Sequence, residues 1–186
     1  MRIAVFCGSS IPHDNDNIVN TARQLGKAIA MRGDTLVYGG SNLGLMGVVS
    51  GATLEAGGRV VGVIPTFFSE EIIMSQPVTE LIRVSSMAER KEHMLRICDA
   101  FIALPGGIGT LDEILEVMVA NQLSLMQDAQ GKPVAVGKPM ILCNLDGFFD
   151  PFISQIDSMG THGFFRKGKR PPLINAHNVE EVINKL

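Results

Sequence analysis

Nowhere does the chain hold an uninterrupted apolar stretch of about 18 residues, the length that a membrane-crossing helix requires. A bilayer-spanning segment is therefore not expected, and no membrane partner with it. The amino-terminal run Ile3-Ala4-Val5-Phe6-Cys7 is too short for a signal-peptide core, so no secretory leader is expected either. Cysteine is scarce: Cys7, Cys98 and Cys143 are odd in number, far apart and flanked by apolar residues, which fits reduced, buried thiols better than a disulfide frame or a zinc site. These features point to the cytoplasm. An excess of positive charge is lacking as well; the formal net charge of -3 supplies no global attraction to nucleic acid or an anionic surface, so any phosphate must be gripped locally. His13, His93, His162 and His177 show no ligand spacing with Cys, Asp or Glu, which leaves no metal site to expect. Repeats, low-complexity tracts and shifts in composition are missing too, and 186 residues with 46% hydrophobic content suit one domain spanning residues 1–186.

What the chain does have is a βαβα rhythm, in which short β-rich runs alternate with segments of helical period. That rhythm predicts an α/β fold with an open, mostly parallel sheet and helices on both faces. Strands are expected at residues 2–7, 35–38, 59–64, 81–84, 99–104 and 139–144, and helices around residues 18–32, 45–56, 86–98, 109–126, 151–159 and 179–186. Residues 66–79 read as irregular. The helix near 109–126 carries Ile114, Leu115, Val117, Met118, Val119, Ala120, Leu123 and Leu125, which leaves little polar face after its first turn. A helix apolar all round must be covered on several sides. In so small a domain the plainest cover is the sheet on one side and a second copy of the chain on the other, so a homodimer is expected; a central helix in a monomer is the alternative.

The run Pro105-Gly106-Gly107-Ile108-Gly109-Thr110 leads straight from a buried strand into that helix. Three glycines let the backbone approach an anion closely, and the positive end of the helix dipole adds to the attraction, so a phosphate is the natural guest. The alternative is that Thr110 and Glu113 form a Thr-x-x-Glu capping box that needs no ligand. Against it, the proline and glycines exceed what a cap requires, and Glu113 and Glu116 share one helical face near the same mouth. A second loop, Gly39-Gly40-Ser41-Asn42-Leu43-Gly44, also joins strand to helix and offers Gly40 and Asn42 either as ligand contacts or as parts of a tight crossover turn. After the first strand the loop reads Gly8-Ser9-Ser10 rather than G-x-G-x-x-G, which argues against hydride transfer and leaves Ser9 and Ser10 as candidate contacts.

On the helix near 86–98, Met87, Arg90, Lys91, Met94, Ile97 and Cys98 fall on one stripe. Arg90 and Lys91 thus interrupt an apolar face. An unpaired buried cation costs several kcal/mol. At least one of the two should therefore meet Glu113, Glu116 or a ligand phosphate, unless both snorkel to solvent from the stripe's edge. A cation beside Glu113 would lower its carboxyl pKa. Arg166, Lys167, Lys169 and Arg170 crowd a Gly/Pro-rich loop that reads as a solvated surface, or as a reach toward substrate across a dimer boundary.

Two motifs, P-G-G-x-G-T-x-x-E over Pro105 to Glu113 and S-M-x-x-R-K over Ser86 to Lys91, together resemble the Lonely Guy family. Cys7-Gly8-Ser9-Ser10, the loop from Gly39 to Gly47, Gly62-Val63-Ile64-Pro65 and Gly163-Phe164-Phe165 extend the likeness over nearly the whole chain. Members of that family are cytokinin riboside 5′-monophosphate phosphoribohydrolases, some formerly labelled lysine decarboxylase. The resemblance implies a dimeric Rossmann-like fold and no cofactor. It implies a small-molecule substrate, a purine nucleoside 5′-monophosphate, either N6-modified or plain AMP, hydrolysed to free base and ribose 5-phosphate. By the same resemblance Arg90 and Glu113 match the catalytic pair, and Glu71, Lys91, Gly106, Gly107, Ile108, Gly109, Thr110, Leu111 and Asp112 match substrate-contacting positions. Met87 and Glu116 join Ser9, Ser10, Gly40 and Asn42 as further candidates. A nucleotide or molybdenum-cofactor carrier on the same scaffold is the alternative function. Three departures stand out: Ser41 replaces a glycine, Met118 stands where some members carry threonine, and residues 127–138 form a longer link than usual.

Overall fold

Central strands buried on both faces carry continuous apolar runs, because helices cover each side of a parallel sheet. Ala100–Ala103 and Met140–Cys143 are buried throughout, and Arg2–Phe6 is buried from its second residue. The computed structural model describes residues 1–13, 15–69, 78–126, 130–132, 137–166 and 169–186. Seven strands join in one sheet: β1 (Arg2–Phe6), β2 (Thr35–Tyr38), β3 (Arg59–Pro65), β4 (Glu80–Val84), β5 (Ala100–Ala103), β6 (Met140–Cys143) and β7 (Ile174–Ala176). Their order is β4-β3-β2-β1-β5-β6-β7, and every neighbouring pair is parallel. This is the expected Rossmann-like α/β architecture.

Side chains alternate across the strands and sort the helices to two faces. Ile3, Val5, Leu36, Tyr38, Ile102 and Ile141 pack with Ile18, Ala22, Leu25 and Ile29 of α1 (Asp16–Met31), Leu45 and Val49 of α2 (Gly44–Glu55), and Val182 of α6 (Val179–Asn184). Ala4, Phe6, Val37, Val63, Phe101 and Leu142 pack with Met94 of α3 (Met87–Ile97), Ile114, Val117 and Met118 of α4 (Ile108–Ser124), and Ile156 of α5 (Asp150–Thr161). Because β2 lies on one side of β1 and β5 on the other, the chain's progress across the sheet reverses there. A crevice opens beyond the carboxyl ends of β1 and β5, the place where ligands enter open α/β sheets.

The start of α3 is tied down on both sides. Ser86 Oγ accepts the Glu89 N–H at 3.1 Å, and Glu89 Oε2 accepts the Ser85 N–H at 2.7 Å. Such reciprocal capping fixes the first helical turn, which immediately precedes Arg90. Most expected elements match to within two residues, as helix and strand ends usually do. Two elements were not expected: β7, only three residues long, and a 3₁₀ turn at Leu145–Gly147 in which Asp146 takes a positive φ of 50°.

Candidate active site

The loops after β1, β2, β3 and β5 and the first turns of α2, α3 and α4 line a cavity of about 410 Å³. Its lining combines polar groups, Ser9, Arg90, Glu113 and the turn Gly107, Ile108, Gly109 and Thr110, with apolar side chains, Leu43, Met46, Ile64, Phe68 and Met87. The loops are stitched together, since Gly8 N–H donates to the Pro105 carbonyl at 3.2 Å and Leu45 N–H to the Gly8 carbonyl at 3.0 Å. Gly106 is held by close approach: a Cβ there would lie 2.1 Å from Thr110 Oγ1 and 2.8 Å from Gly8 N.

Helix α4 begins at Ile108 with Gly107 as its N-cap, in extended backbone and without any side chain capping it. The Thr110/Glu113 capping box is therefore not formed. Its geometry requires Thr110 to be the N-cap, whereas the N-cap is Gly107, three residues earlier, and the Thr110 N–H goes to the Gly107 carbonyl at 3.1 Å. The amides ahead of Thr110 precede the first bond of the helix, so the turn from Gly107 to Gly109 presents N–H groups and a positive dipole end beside the cavity.

Glu113 turns the other way, toward α3. Its Oε1 lies 2.8 Å from Arg90 Nη1, and both side chains are buried. Arg90 Nε donates to the Val63 carbonyl at 3.1 Å, which fixes the guanidinium from β3. Burial pushes the Glu113 carboxyl above its ordinary value, with the Arg90 charge pulling it part of the way back. The expectation that the cation would leave a lowered pKa is thus corrected, because desolvation of the carboxylate outweighs the neighbouring charge. The Cys7 thiol, on the same cavity wall, is pushed up strongly by burial and then by the Glu113 charge.

Both members of the basic pair meet anions. Lys91 Nζ lies 2.9 Å from Asp112 Oδ1 and 2.9 Å from Glu116 Oε2, and these two partners, Asp112 first, raise its pKa. Lys91, Leu111, Asp112 and Glu116 stand outside the walls of the large cavity. Gly106 and Ser10 line an adjoining cavity of about 310 Å³, which shares Gly8, Ser9 and Gly107 with the first. Gly40 and Asn42 line neither; Gly40 has a positive φ of 77° and packs its Cα against Ile64. Met118 lies in the core rather than at the site. Glu71, residues 127–129 and 133–136 of the long link, and Lys167 lie outside the described residues. Of the basic loop, Arg170 pairs with Asp157 at 2.6 Å and Lys169 Nζ donates to the Leu125 carbonyl at the end of α4.

Apart from Met87, the apolar lining was missed from the sequence, although Ile64 lies at the end of a strand and Leu43 and Met46 border the helix that follows another. Positions directly after buried strands are the signal that would have found them. Among the described residues no cluster of three or more His, Cys, Asp or Glu could hold a metal, and no helix is long and apolar enough to cross a membrane.

Known proteins resemble the chain in sequence and in fold. The profile of the family described as possible lysine decarboxylase matches residues 46–186. The cytokinin riboside 5′-monophosphate phosphoribohydrolase LOG of Oryza sativa subsp. japonica is 43% identical over 185 residues, covering 100% of this chain and 72% of the relative. The enzyme of the same description called LOG4, from Arabidopsis thaliana, is 40% identical over 185 residues, covering 100% and 81%. Among solved structures, the molybdenum cofactor carrier protein MCP from Chlamydomonas reinhardtii shares the fold with a TM-score of 0.70 at 23% identity, over 99% of this chain and 94% of that one.

Proposed function

The chain belongs to the Lonely Guy family, the group whose profile is described as possible lysine decarboxylase, and from that premise we propose that it hydrolyses the N-glycosidic bond of purine nucleoside 5′-monophosphates through Arg90 and Glu113. The products are the free base and ribose 5-phosphate. One observation carries the assignment of residues: a buried Arg90–Glu113 pair faces the same cavity as the amide turn at Gly107 to Thr110.

The phosphate sits on that turn, where unpaired amides and the helix dipole favour an anion. Ribose then lies beside Glu113, and the base rests against Leu43, Met46, Ile64, Phe68 and Met87. As the C1′–N9 bond breaks, its electron pair leaves with the base and positive charge grows on the ribose ring. A fixed carboxylate stabilises that charge and accepts a proton from the water whose oxygen bonds to C1′; the departing base takes up a proton at nitrogen. A carboxyl whose pKa has been raised by burial is a stronger base once ionised, and Arg90 holds it in register. Lys91, Glu71, Leu111, Asp112 and Gly106 are assigned contacts with the substrate or its phosphate turn on the strength of the family resemblance.

The reaction needs no added cofactor. We further place the protein in the cytoplasm as a homodimer, supported by three buried free thiols and by the exposed stripe Leu115, Val119 and Leu123 along α4. The test is to incubate purified protein with AMP and with N6-alkylated analogues while following free base and ribose 5-phosphate. Release of both in equal amounts is the expected result. Tight binding without release would reassign the chain to the carrier class.

A further inference from the structure

Arg90 is clamped from three directions, and one clamp is a missing side chain. Its Nε donates to the Val63 carbonyl and its Nη1 pairs with Glu113, which leaves Nη2. That nitrogen lies over the Cα of Gly39: a Cβ built at Gly39 would stand 2.4 Å from Arg90 Nη2, 3.4 Å from Arg90 Cζ and 2.9 Å from Met46 Sδ. Backbone conformation does not explain why glycine stands here, because Gly39, unlike Gly40 at φ 77°, is not among the positive-φ residues. An alanine would fit the chain's path at this point; what it would not fit is the guanidinium.

We propose that Gly39 is a positioning residue whose lack of a side chain sets where the Arg90 guanidinium lies against Glu113. An arginine tip is normally free to yield to a methyl group. This one is buried, and moving it breaks the Val63 hydrogen bond, the Glu113 pair or both. Met46, the other neighbour, can swing its flexible thioether aside at little cost. The substitution therefore acts on Arg90 and through it on Glu113, while the phosphate turn at the end of β5 stays as it was. The inference rests on the catalytic reading of Arg90 and Glu113.

The experiment is a double-mutant cycle between Gly39→Ala and Arg90→Lys, whose ammonium lacks the nitrogen that overlies Gly39. In the wild-type background Gly39→Ala is expected to lower kcat for AMP by about 10- to 100-fold, the scale of a misplaced catalytic group, with KM changed by less than about threefold. Its acid limb in kcat should move to higher pH, because Glu113 loses part of the charge that opposes its raised pKa. In the Arg90→Lys background the same substitution should cost less than about twofold. Equal losses in both backgrounds, or full activity with an unmoved pH profile, would overturn the proposal.

Melting temperatures of the same four proteins keep the test open if Gly39→Ala folds poorly. Destabilisation present with Arg90 and relieved in the Arg90→Lys background supports the contact; destabilisation of equal size in both refutes it. Should Arg90→Lys and Arg90→Ala both keep wild-type turnover, the catalytic reading itself fails, while the melting-temperature cycle still reports on the contact alone.

Discussion

Lys138 closes the helix that carries Arg90: its ammonium donates to the Cys98 carbonyl at 2.6 Å, and to the Leu95 carbonyl at the same distance. The last carbonyls of a helix have no intrahelical partner, and a cation there also meets the negative end of the dipole. The backbone of Lys138 is held in turn by buried Asn121 of α4, which donates to its carbonyl at 2.8 Å and accepts its N–H at 2.9 Å. One lysine thus ties α3, α4 and the approach to β6 together.

Lys138→Met, which keeps the side-chain length and loses the charge, should destabilise the fold by about 2 kcal/mol, the usual scale of charge-assisted hydrogen bonds. Urea denaturation measures it directly. Because α3 holds Arg90, turnover should also decline, with a wild-type KM for AMP.

Glu113→Gln should lower kcat for AMP by about 10³-fold, since the amide neither accepts the proton nor balances charge on the ribose. Arg90→Ala should cost about 10²-fold or more through lost positioning. Both variants should still bind ribose 5-phosphate, measurable by calorimetry, because the Gly107 to Thr110 amides are untouched.

The pH dependence follows from the direction of the Glu113 shift. Burial raises its pKa, Arg90 opposing, and the reaction needs the ionised form, so kcat should fall on the acid side at a pH above the ordinary carboxylate range. Folding responds in the opposite sense: the folded chain holds this proton more tightly than the unfolded one, so the Glu113 contribution is fully present below the ordinary carboxylate pKa and is lost as pH rises to the raised value. Stability of Glu113→Gln relative to wild type should therefore climb across that window, as read from denaturation midpoints at several pH values.

Leu115, Val119 and Leu123 recur every four residues on α4 and stay exposed, Val119 at 56%, while Ile114, Val117 and Met118 face the core. If two copies bury that stripe, Val119→Glu places an uncompensated charge in the contact and should weaken dimerisation by about 100-fold or more. Sedimentation of wild type against variant distinguishes a dimer from a monomer.

Much of this arrangement was legible in the chain. Buried strands announced themselves as apolar runs, Arg90 as a cation on an apolar stripe, and the Gly106 to Thr110 turn as an excess of glycine before a helix. Other features were hidden by their nature. Whether Glu113 capped its own helix or reached across to Arg90 depended on the α4 N-cap being Gly107 rather than Thr110, a shift of three residues that local pattern does not fix. Strand β7 is too short to show a period. The contacts of the Lys138 ammonium join residues at least 40 positions apart, and the Gly39 contact depends on where an arginine tip comes to rest.

Arg90 bridges Val63 on one wing of the sheet and Glu113 on the helix that follows the other wing, so it acts as a clasp of fixed span across the crevice. The atoms assigned to the chemistry also join the two wings of the sheet beside the cavity. Exchanging either residue for a shorter homologue would therefore disturb the chemistry and loosen the tie between the two wings in a single step.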